Sequence, residues 1–366
     1  MERNNMRVLL AAGGTGGHMF PAQALAEHLK AGGADIAMMT DARGRKHSGA
    51  IPADPIIEVA AASISPRKPI AAIGGIIKLS RGIREAKRFI KSWKPDVVVG
   101  FGGYPAFPAI SAAQSLGVPT VLHEQNAVLG RVNRVFAKRA NVVASGFDAL
   151  ERLPKGAKWQ PIGNPMRADI IAASQRDYKP PSKTGPIHLL IVGGSLGATM
   201  VSETVPAACA LLPMDLRGRL RVVQQTRAGS MELATRIYKD AGIKAVCAPF
   251  FKDIHTHLAK AHFIIARAGA SSVSEIALMG LPSLLVPLAI AMDDHQSVNA
   301  LALKSLDCAD ILPETRFTPQ AVKNSLEERL RDSTYLADAS RAACLAAKPD
   351  ATTQLAQLVK SAIGAA

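Results

Sequence analysis

The sequence predicts an α/β protein of two domains, each built on a parallel sheet with helices on both faces. Short apolar runs alternate with longer helical patterns almost throughout the chain, as in proteins made of βαβ units. Two segments about half the chain apart each run from an apolar strand through a glycine cluster into a helix. The length of 366 residues exceeds the ~250 residues beyond which one core usually divides. Because ligands of such sheets sit beyond the carboxyl ends of the strands, we expect the two domains to face one cleft.

Ten strands follow from the apolar runs, five in each half of the chain. The first half contributes residues 8–12, 36–40, 97–100, 120–122 and 141–145. The second half contributes residues 189–192, 220–223, 244–248, 262–266 and 283–286. Residues 166–186 are rich in Pro, Ser, Lys and Asp, and we interpret them as the hinge between the domains. The pattern after Pro319 is entirely helical, with a last helix over residues 350–363.

The two glycine clusters are residues 13–17, GGTGG, and residues 193–197, GGSLG. Glycine allows a sharp turn with positive φ, after which the unpaired N–H groups of the next helix face open space. Such a corner suits an anion, typically a phosphate, although either cluster could be a tight turn that binds nothing. Neither cluster contains a P-loop signature, and the chain has no Asp-x-Asp to hold a metal ion against a diphosphate. Helix ends and side-chain donors would therefore have to offset the charge of a bound diphosphate.

Composition excludes several classes of protein. With 48% apolar and 20% charged residues the chain is not disordered, and residues 281–292, its longest apolar run, fall short of the ~20 residues of a membrane span. The N-terminus shows no secretory signal, and the four cysteines form no Cys-x-x-Cys pair, as expected of free thiols in the cytoplasm. The net charge of +15 is uneven, because residues 1–165 carry 22 Lys and Arg against 11 Asp and Glu. The surplus favours an anionic partner for this half, and by charge alone nucleic acid, an acidic membrane or a phosphorylated substrate would qualify.

His18 is the first candidate for chemistry, because it closes the first glycine cluster where a helix begins. The positive end of a helix dipole disfavours the imidazolium, which leaves a neutral imidazole able to accept a proton. A histidine that only caps the helix is the equally open alternative. His255 and His257, with His262 nearby, could indicate a metal site, but no carboxylate or thiol cluster completes a tetrahedral set, so we expect no metal.

Further polar segments follow other strands. The tetrapeptide HEQN, residues 123–126, is expected after a strand, at the cleft. Glu275 lies one turn inside a helix, where it could bond ribose hydroxyls or simply supply a favourable first-turn charge. Gln296 could hold sugar hydroxyls through both ends of its amide, or cap its helix.

Seven segments in this order resemble the MurG family of bacterial peptidoglycan glycosyltransferases: GGTGGHMFPA, KPDVVVGFGGY, HEQN, GNPMR, GGSLGA, RAGASSVSE and DDHQxxNA. The resemblance implies two Rossmann-like domains in the GT-B arrangement, with residues 1–165 facing acceptor and membrane and residues 166–344 binding the UDP-sugar. A helix at about residues 345–366 would pack back on the first domain. It also implies inverting transfer of N-acetylglucosamine (GlcNAc) from UDP-GlcNAc to the muramyl 4-hydroxyl of polyprenyl-linked lipid I, without a cofactor or an essential metal. The expected location is the cytoplasmic face of the cell membrane.

The resemblance also implies a set of site residues. His18 is the candidate base and Glu124 the second candidate, while Arg167 can stack on uracil or neutralise charge. The implied donor-binding residues are Thr15, Gly16, Gly17, Asn126, Arg167, Ser195, Phe251, Ala270, Ser271, Ser272, Val273, Ser274, Glu275 and Gln296. Leu196 and His295 depart from the family pattern, since relatives have glutamine at both positions.

Residues 67–94 are suited to an acidic lipid surface. They hold nine Lys and Arg against one acid, Glu85, and isoleucines recur near helical spacing. The predicted membrane contacts are Ile73, Ile76, Ile77, Lys78, Arg81 and Arg84. The alternative is an ordinary helix whose isoleucines face the core.

Two rival functions remain at this stage. A UDP-sugar 2-epimerase uses a similar pair of domains and the same nucleotide, but it would not need a basic helix that faces lipid. A nucleic-acid-binding protein would use the same positive charge, but 4% aromatic residues give little surface for stacking bases, so we expect no nucleic acid.

Overall fold

The computed structural model describes residues 5–14, 16–61, 69–194, 199–288 and 294–364, with the side chains of His47 and residues 69–73 left out. The chain divides into two compact units. The first consists of Met1–Arg167 and Lys348–Ala366, and the second of Ala168–Ala347. Each contains one parallel sheet.

The first unit is built on a sheet of seven parallel strands in the order β3-β2-β1-β4-β5-β6-β7. The strands are β1 Arg7–Ala11, β2 Asp35–Thr40, β3 Ile56–Glu58, β4 Val97–Gly100, β5 Thr120–Glu124, β6 Val142–Ser145 and β7 Trp159–Pro161. The helices are α1 Gly16–Ala31, α2 Ala42–His47, α3 Pro69–Trp93, α4 Ala106–Ser115, α5 Arg131–Phe136 and, from the end of the chain, α15 Ala351–Gly364.

Both faces of this sheet are covered, as the alternation of side chains along β1 requires. Leu10 packs in one apolar core with Leu25 of α1 and Leu355 of α15. Leu9 points to the other face, where it shares a second core with Ile90 of α3. The terminal helix is therefore part of the first unit's core.

The second unit repeats the plan with six parallel strands in the order β10-β9-β8-β11-β12-β13. The strands are β8 Ile187–Val192, β9 Leu220–Gln225, β10 Lys244–Ala248, β11 Phe263–Ala266, β12 Ser283–Leu285 and β13 Ala309–Ile311. The helices are α6 Ala168–Ser174, α7 Thr199–Ala210, α8 Met214–Arg217, α9 Met231–Asp240, α10 Ile254–Lys260, α11 Ala270–Leu278, α12 His295–Lys304, α13 Pro319–Arg331 and α14 Ser333–Leu345.

The predicted α/β class with two parallel sheets is confirmed, and all ten predicted strands are present. Strands β3, β7 and β13 were not predicted; they have three residues each and lie at sheet edges, where no long apolar run is needed. The expected end of β5 at residue 122 was wrong, because the strand continues through His123 and Glu124. Helix α1 begins at Gly16, inside the first glycine cluster, so packing overrides the weak helix propensity of glycine.

Candidate functional site

Each glycine cluster follows the strand at which the order of its sheet reverses. Strand β1 lies between β2 and β4, and strand β8 lies between β9 and β11. Open parallel sheets bind ligands at such switch points, beyond the carboxyl ends of the strands. The two turns are therefore the candidate binding sites of their units.

The first turn is bonded to a carboxylate. Gly14 N–H donates to Asp41 Oδ1 at 3.2 Å, and the same oxygen caps α2 by accepting from Gly44 N–H at 2.9 Å. A phosphate at this amide would meet the negative charge of Asp41, so the phosphate interpretation is not favoured for the first turn. Thr15 lies outside the described residues, while Gly16 and Gly17 form the start of α1.

His18, the third residue of α1, is tied to the end of β5. Its Nδ1 lies 2.8 Å from Gln125 Oε1, and Gln125 Nε2 lies 3.0 Å from His123 Nδ1. His123 Nε2 in turn lies 3.1 Å from the carbonyl oxygen of Gly163. The contact to Gln125 means that the His18 ring does not serve as a helix cap, which was the alternative interpretation.

His123 is fully buried, with 0% of its surface exposed. Loss of solvation lowers its pKa to about 4; the hydrogen bond to Gly163 opposes this shift, and nearby His18 adds to it. The ring is therefore neutral at pH 7. It acts as a fixed spacer between Gly163 and Gln125.

Glu124 is 3% exposed and holds the loop that follows β5. Its Oε1 accepts from the backbone and side-chain amides of Asn126, both at 3.2 Å. Its Oε2 accepts from Gly130 N–H at 2.8 Å and from Asn133 Nδ2 at 3.0 Å. Both oxygens of the Glu124 carboxylate are thus occupied by protein donors that hold this loop. The geometry therefore favours His18 over Glu124 as the base.

Arg167 ends the first unit's segment of the main chain. Its guanidinium lies over the ring of Phe20 in α1, with 5.1 Å between the carbon and the ring centroid. The contact with Phe20 fixes the direction of the half-buried Arg167 side chain.

Cationic side chains lie near the second turn. The described part of the chain stops at Gly194 and resumes at Thr199, so Ser195 and Leu196 lie outside it. Arg227, which follows β9 and is exposed, donates from Nη1 to Thr199 Oγ1 at 3.1 Å, at the start of α7. A cation is unfavourable at a helix N-terminus unless an anion joins it. Arg227 was not predicted as a site residue, because only folding brings it to α7.

Arg267 is the second cation near this turn, and it is buried. It pairs with Glu314 and donates to the carbonyl oxygen of Val286 at 3.2 Å. The Cγ of Arg267 lies 4.0 Å from where a Cβ on Gly194 would stand. Arg267 thus packs beside the turn while its guanidinium fixes the segment after β12.

Helix α11 contains the six consecutive predicted donor contacts, Ala270 through Glu275. It begins after Gly269, which has no side chain to cap the first N–H groups. Glu275 is the sixth residue of the helix, beyond its first turn, so the alternative of a first-turn charge is wrong. Ser271, Ser272 and Glu275 are half-buried, whereas Ala270 and Val273 are buried.

Gln296 and Phe251 are the remaining predicted donor contacts. Gln296 Oε1 accepts from Leu288 N–H at 3.0 Å, and its second lone pair and its Nε2 group leave binding of the sugar through both ends of the amide as a prediction. Phe251 follows β10, and its half-buried ring packs edge-on against His257 at 4.9 Å between centroids.

The three histidines that could have indicated a metal site each contact a different partner. His255 contacts Asp169 at 3.4 Å, and His257 contacts Asp253 at 3.6 Å. His262 Nδ1 accepts from His188 N–H at 3.0 Å. Within the described ranges no three His, Cys, Asp or Glu side chains group as metal ligands would.

Helix α3 changes character along its length. Ile76 and Ile77 are 52% and 64% exposed, whereas Ile90 lies in the core. Lys78, Arg81 and Arg84 are exposed, and Arg81 Nε pairs with Glu85 at 2.8 Å. The core-facing alternative is therefore wrong for Ile76 and Ile77, while the side chain of Ile73 lies outside the described residues. None of the helices described reaches the combination of length and apolarity that a membrane span needs.

Comparison with known proteins defines the class. Residues 8–145 match the glycosyltransferase family 28 N-terminal domain, and residues 188–355 match the family 28 C-terminal domain. The fold and both matches make this a family 28 glycosyltransferase. It belongs to the MurG family within that class.

Two similar proteins support this assignment, and a third shares only the fold. The UDP-N-acetylglucosamine–N-acetylmuramyl-(pentapeptide) pyrophosphoryl-undecaprenol N-acetylglucosamine transferase of Maricaulis maris is 49% identical over 355 residues, 96% of each chain. The crystal structure of Acinetobacter baumannii MurG has a TM-score of 0.78 at 31% identity and covers 98% of this chain and 99% of that one. A UDP-N-acetylglucosamine 2-epimerase from Listeria monocytogenes has a TM-score of 0.68 at 16% identity, covers 99% of this chain and 98% of that one, and shares only the fold.

Proposed function

We propose that this chain transfers GlcNAc from UDP-GlcNAc to the muramyl 4-hydroxyl of undecaprenyl-pyrophosphoryl-N-acetylmuramyl-pentapeptide, converting lipid I to lipid II in peptidoglycan synthesis. The observation that carries the proposal is 49% identity over 96% of the chain to a transferase with this donor and acceptor in its name. The epimerase alternative has only the likeness of fold at 16% identity.

The reaction is a direct displacement with inversion. The acceptor hydroxyl loses its proton to His18 as its oxygen forms a bond to the anomeric carbon. The bond from that carbon to the UDP oxygen breaks, and its electron pair leaves with UDP. The support for His18 is its position at the switch point of the first sheet and its Nδ1 contact to Gln125 at 2.8 Å.

The donor nucleotide binds mainly to the second unit. The start of α7 with Arg227 offers positive charge to the diphosphate, as the start of α11 offers N–H groups. Glu275 accepts from the ribose hydroxyls, and Gln296 Nε2 donates to the sugar. The remaining predicted donor contacts, from Gly16 and Gly17 to Phe251, belong to the same proposal. Ser195 and Thr15 are part of it by resemblance alone.

The acceptor is anchored in lipid, so the chain must reach the membrane surface. We assign this role to the exposed start of α3, where Ile76 and Ile77 insert and Lys78, Arg81 and Arg84 face anionic headgroups. The chain would then act as a peripheral protein at the cytoplasmic face of the membrane.

The test mixes the protein with UDP-GlcNAc alone and then with added lipid I, and follows UDP and the sugar. Release of UDP that requires lipid I supports the transferase. An epimerised sugar without acceptor would support the 2-epimerase instead. No reaction in either mixture, with the fold verified by circular dichroism, would contradict both.

A further inference from the structure

The chain of contacts from His18 to Gly163 has only one arrangement of donors and acceptors. The carbonyl oxygen of Gly163 can only accept, so His123 Nε2, 3.1 Å away, carries the hydrogen. His123 is buried and neutral, so its Nδ1 carries none and accepts. The Gln125 group that faces Nδ1 at 3.0 Å is therefore the amide NH2.

The orientation of the Gln125 amide in turn fixes which nitrogen of His18 carries the hydrogen. With its NH2 committed to His123, Gln125 presents Oε1 to His18 Nδ1 at 2.8 Å. Two acceptors at that distance would repel, so His18 Nδ1 carries the hydrogen. Reversing the amide would set Oε1 against the lone pair of His123 Nδ1, so a flipped Gln125 is excluded by the same reasoning.

The backbone at His123 and Gln125 is held by hydrogen bonds that do not involve the side chains of His18, His123 or Gln125. Asn164 Nδ2 donates to the carbonyl oxygen of Gln125 at 3.0 Å. Asn133 Nδ2 donates to the carbonyl oxygen of His123 at 3.2 Å. Gln125 is itself only 2% exposed, so its amide is fixed in place rather than free to turn in solvent.

The other edge of the His18 ring is left open by glycine. Gly103 has φ of +72°, and a Cβ there would lie 3.5 Å from His18 Nε2. Among the residues that the structure describes, none makes a hydrogen bond to this nitrogen. The nitrogen that carries no hydrogen is thus the one without a hydrogen-bond partner among those described residues.

We propose that Gln125 is a positioning residue that holds His18 in the tautomer with Nδ1 protonated, so that Nε2 is the atom that takes the proton of the acceptor hydroxyl. The tautomer follows from the structure of the first unit alone, and the role of Nε2 rests on the proposed transfer reaction. In that step the hydroxyl O–H bond breaks, an N–H bond forms at Nε2, and the imidazolium charge stays next to Gln125 Oε1.

The tautomer can be read without substrate. In the intact protein labelled with ¹⁵N-histidine, long-range ¹H–¹⁵N spectra distinguish protonated from unprotonated ring nitrogens, and the spectrum of His18→Asn assigns His18 by subtraction. We expect a protonated Nδ1 and an unprotonated Nε2 on His18 in wild type. We expect the same in Gln125→Glu, which keeps an oxygen opposite His18 Nδ1, while its second oxygen faces His123 Nδ1 and requires a hydrogen there. In Gln125→Leu we expect the tautomer with Nε2 protonated to appear.

Kinetics give the second readout. Gln125→Leu should lower kcat about 10- to 100-fold, less than the 10²- to 10⁴-fold contribution of a general base, while KM for UDP-GlcNAc changes by less than about twofold. Gln125→Glu should recover part of the lost kcat. The matched control is Gln114→Leu, which removes two hydrogen bonds near the opposite end of β5 and should change neither the tautomer nor kcat.

A protonated Nε2 on His18 in wild type would overturn the proposal. So would wild-type spectra and kcat in a folded Gln125→Leu variant. If Gln125→Leu fails to fold, the wild-type spectrum together with Gln125→Glu decides. If no variant transfers GlcNAc, the proposed function fails, while the spectra still decide the tautomer.

Discussion

The two units place opposite charges at equivalent positions beside their glycine turns. In each sheet the strand before the turn has, on one side, the strand that follows it in the chain: β2 beside β1, and β9 beside β8. Just after β2 comes Asp41, whose carboxylate accepts from Gly14 N–H. Just after β9 comes Arg227, whose guanidinium reaches the first residue of α7. The same corner of the same fold thus carries a carboxylate in the first unit and a guanidinium in the second, and we predict that only the second favours an anion.

This difference predicts that the two units have different roles in the reaction. The first unit carries the hydrogen-bonded side chains that end at His18, together with the exposed basic start of α3 that we propose faces lipid. The second unit carries helix starts and cations that suit a nucleotide. Proton transfer and membrane contact should therefore respond to changes in the first unit, and nucleotide affinity to changes in the second.

The largest expected effect is on the chemical step. His18→Ala should lower turnover 10²- to 10⁴-fold, the usual contribution of a general base, because no other described group replaces its Nε2. UDP affinity, measured by calorimetry, should stay within about twofold of wild type. Near-normal turnover would dismiss His18, and Glu124 would then be the next group to replace.

Acid should destabilise the first unit through His123. Its pKa is about 4 when folded and 6.5 when unfolded, so between these values the unfolded chain binds more protons. This contribution, about 3 kcal/mol, is fully present above pH 6.5 and is lost as the pH falls toward 4. Both tryptophans, Trp93 and Trp159, lie in the first unit, so their fluorescence during urea unfolding reports that unit alone.

The control compares the same change in the two units. His123→Gln should flatten the dependence of the fluorescence-detected midpoint on pH between 6.5 and 4. In the second unit burial also lowers the pKa of His262 to about 4, yet His262→Gln should leave that dependence unchanged. An equal response to the two substitutions would contradict the separation of the units.

Membrane binding should also belong to the first unit. Replacing Lys78, Arg81 and Arg84 by Glu should lower the affinity for acidic vesicles, measured by sedimentation, by about 100-fold or more. The reason is that each cation contributes ~1 kcal/mol to binding near an anionic surface. The same reversal at Arg236, Lys239 and Lys244, exposed in the second unit, changes net charge equally and should have little effect. Equal losses in both variants would mean that total charge, not α3, drives binding.

The smallest effect is expected at Arg227. Arg227→Gln should weaken UDP binding about tenfold at low salt, and by less as salt screens the exposed charge. Arg236→Gln, at an exposed position of α9, is the matched control and should bind UDP as wild type does. Unchanged UDP affinity in Arg227→Gln would contradict the claim that the charge of Arg227 favours an anion at the second turn.

The sequence predicted what depends on local pattern. Every strand with four or more apolar or β-branched residues was found, because burial on both faces of a parallel sheet leaves a continuous apolar run. The short edge strands β3, β7 and β13 were missed, since only Ala309 of their residues is buried and their composition carries no such signal.

The sequence did not predict the contacts that give each turn its character. His18 and Gln125 are 107 positions apart, and His123 and Gly163 are 40 apart, so no local pattern reveals that they form one chain. The link from Asp41 to Gly14 likewise depends on the pairing of β2 with β1. The donor-binding residues stay predictions until a nucleotide is placed.

The most direct test is hydrogen exchange of the intact protein with and without UDP, in EDTA, followed by mass spectrometry. We predict that UDP slows exchange most in peptides that cover residues 199–205 and 267–278 of the second unit, with smaller changes around residues 120–130. Protection that is largest in the first unit, or that appears only when a divalent metal is added, would contradict a nucleotide held without metal by the second unit.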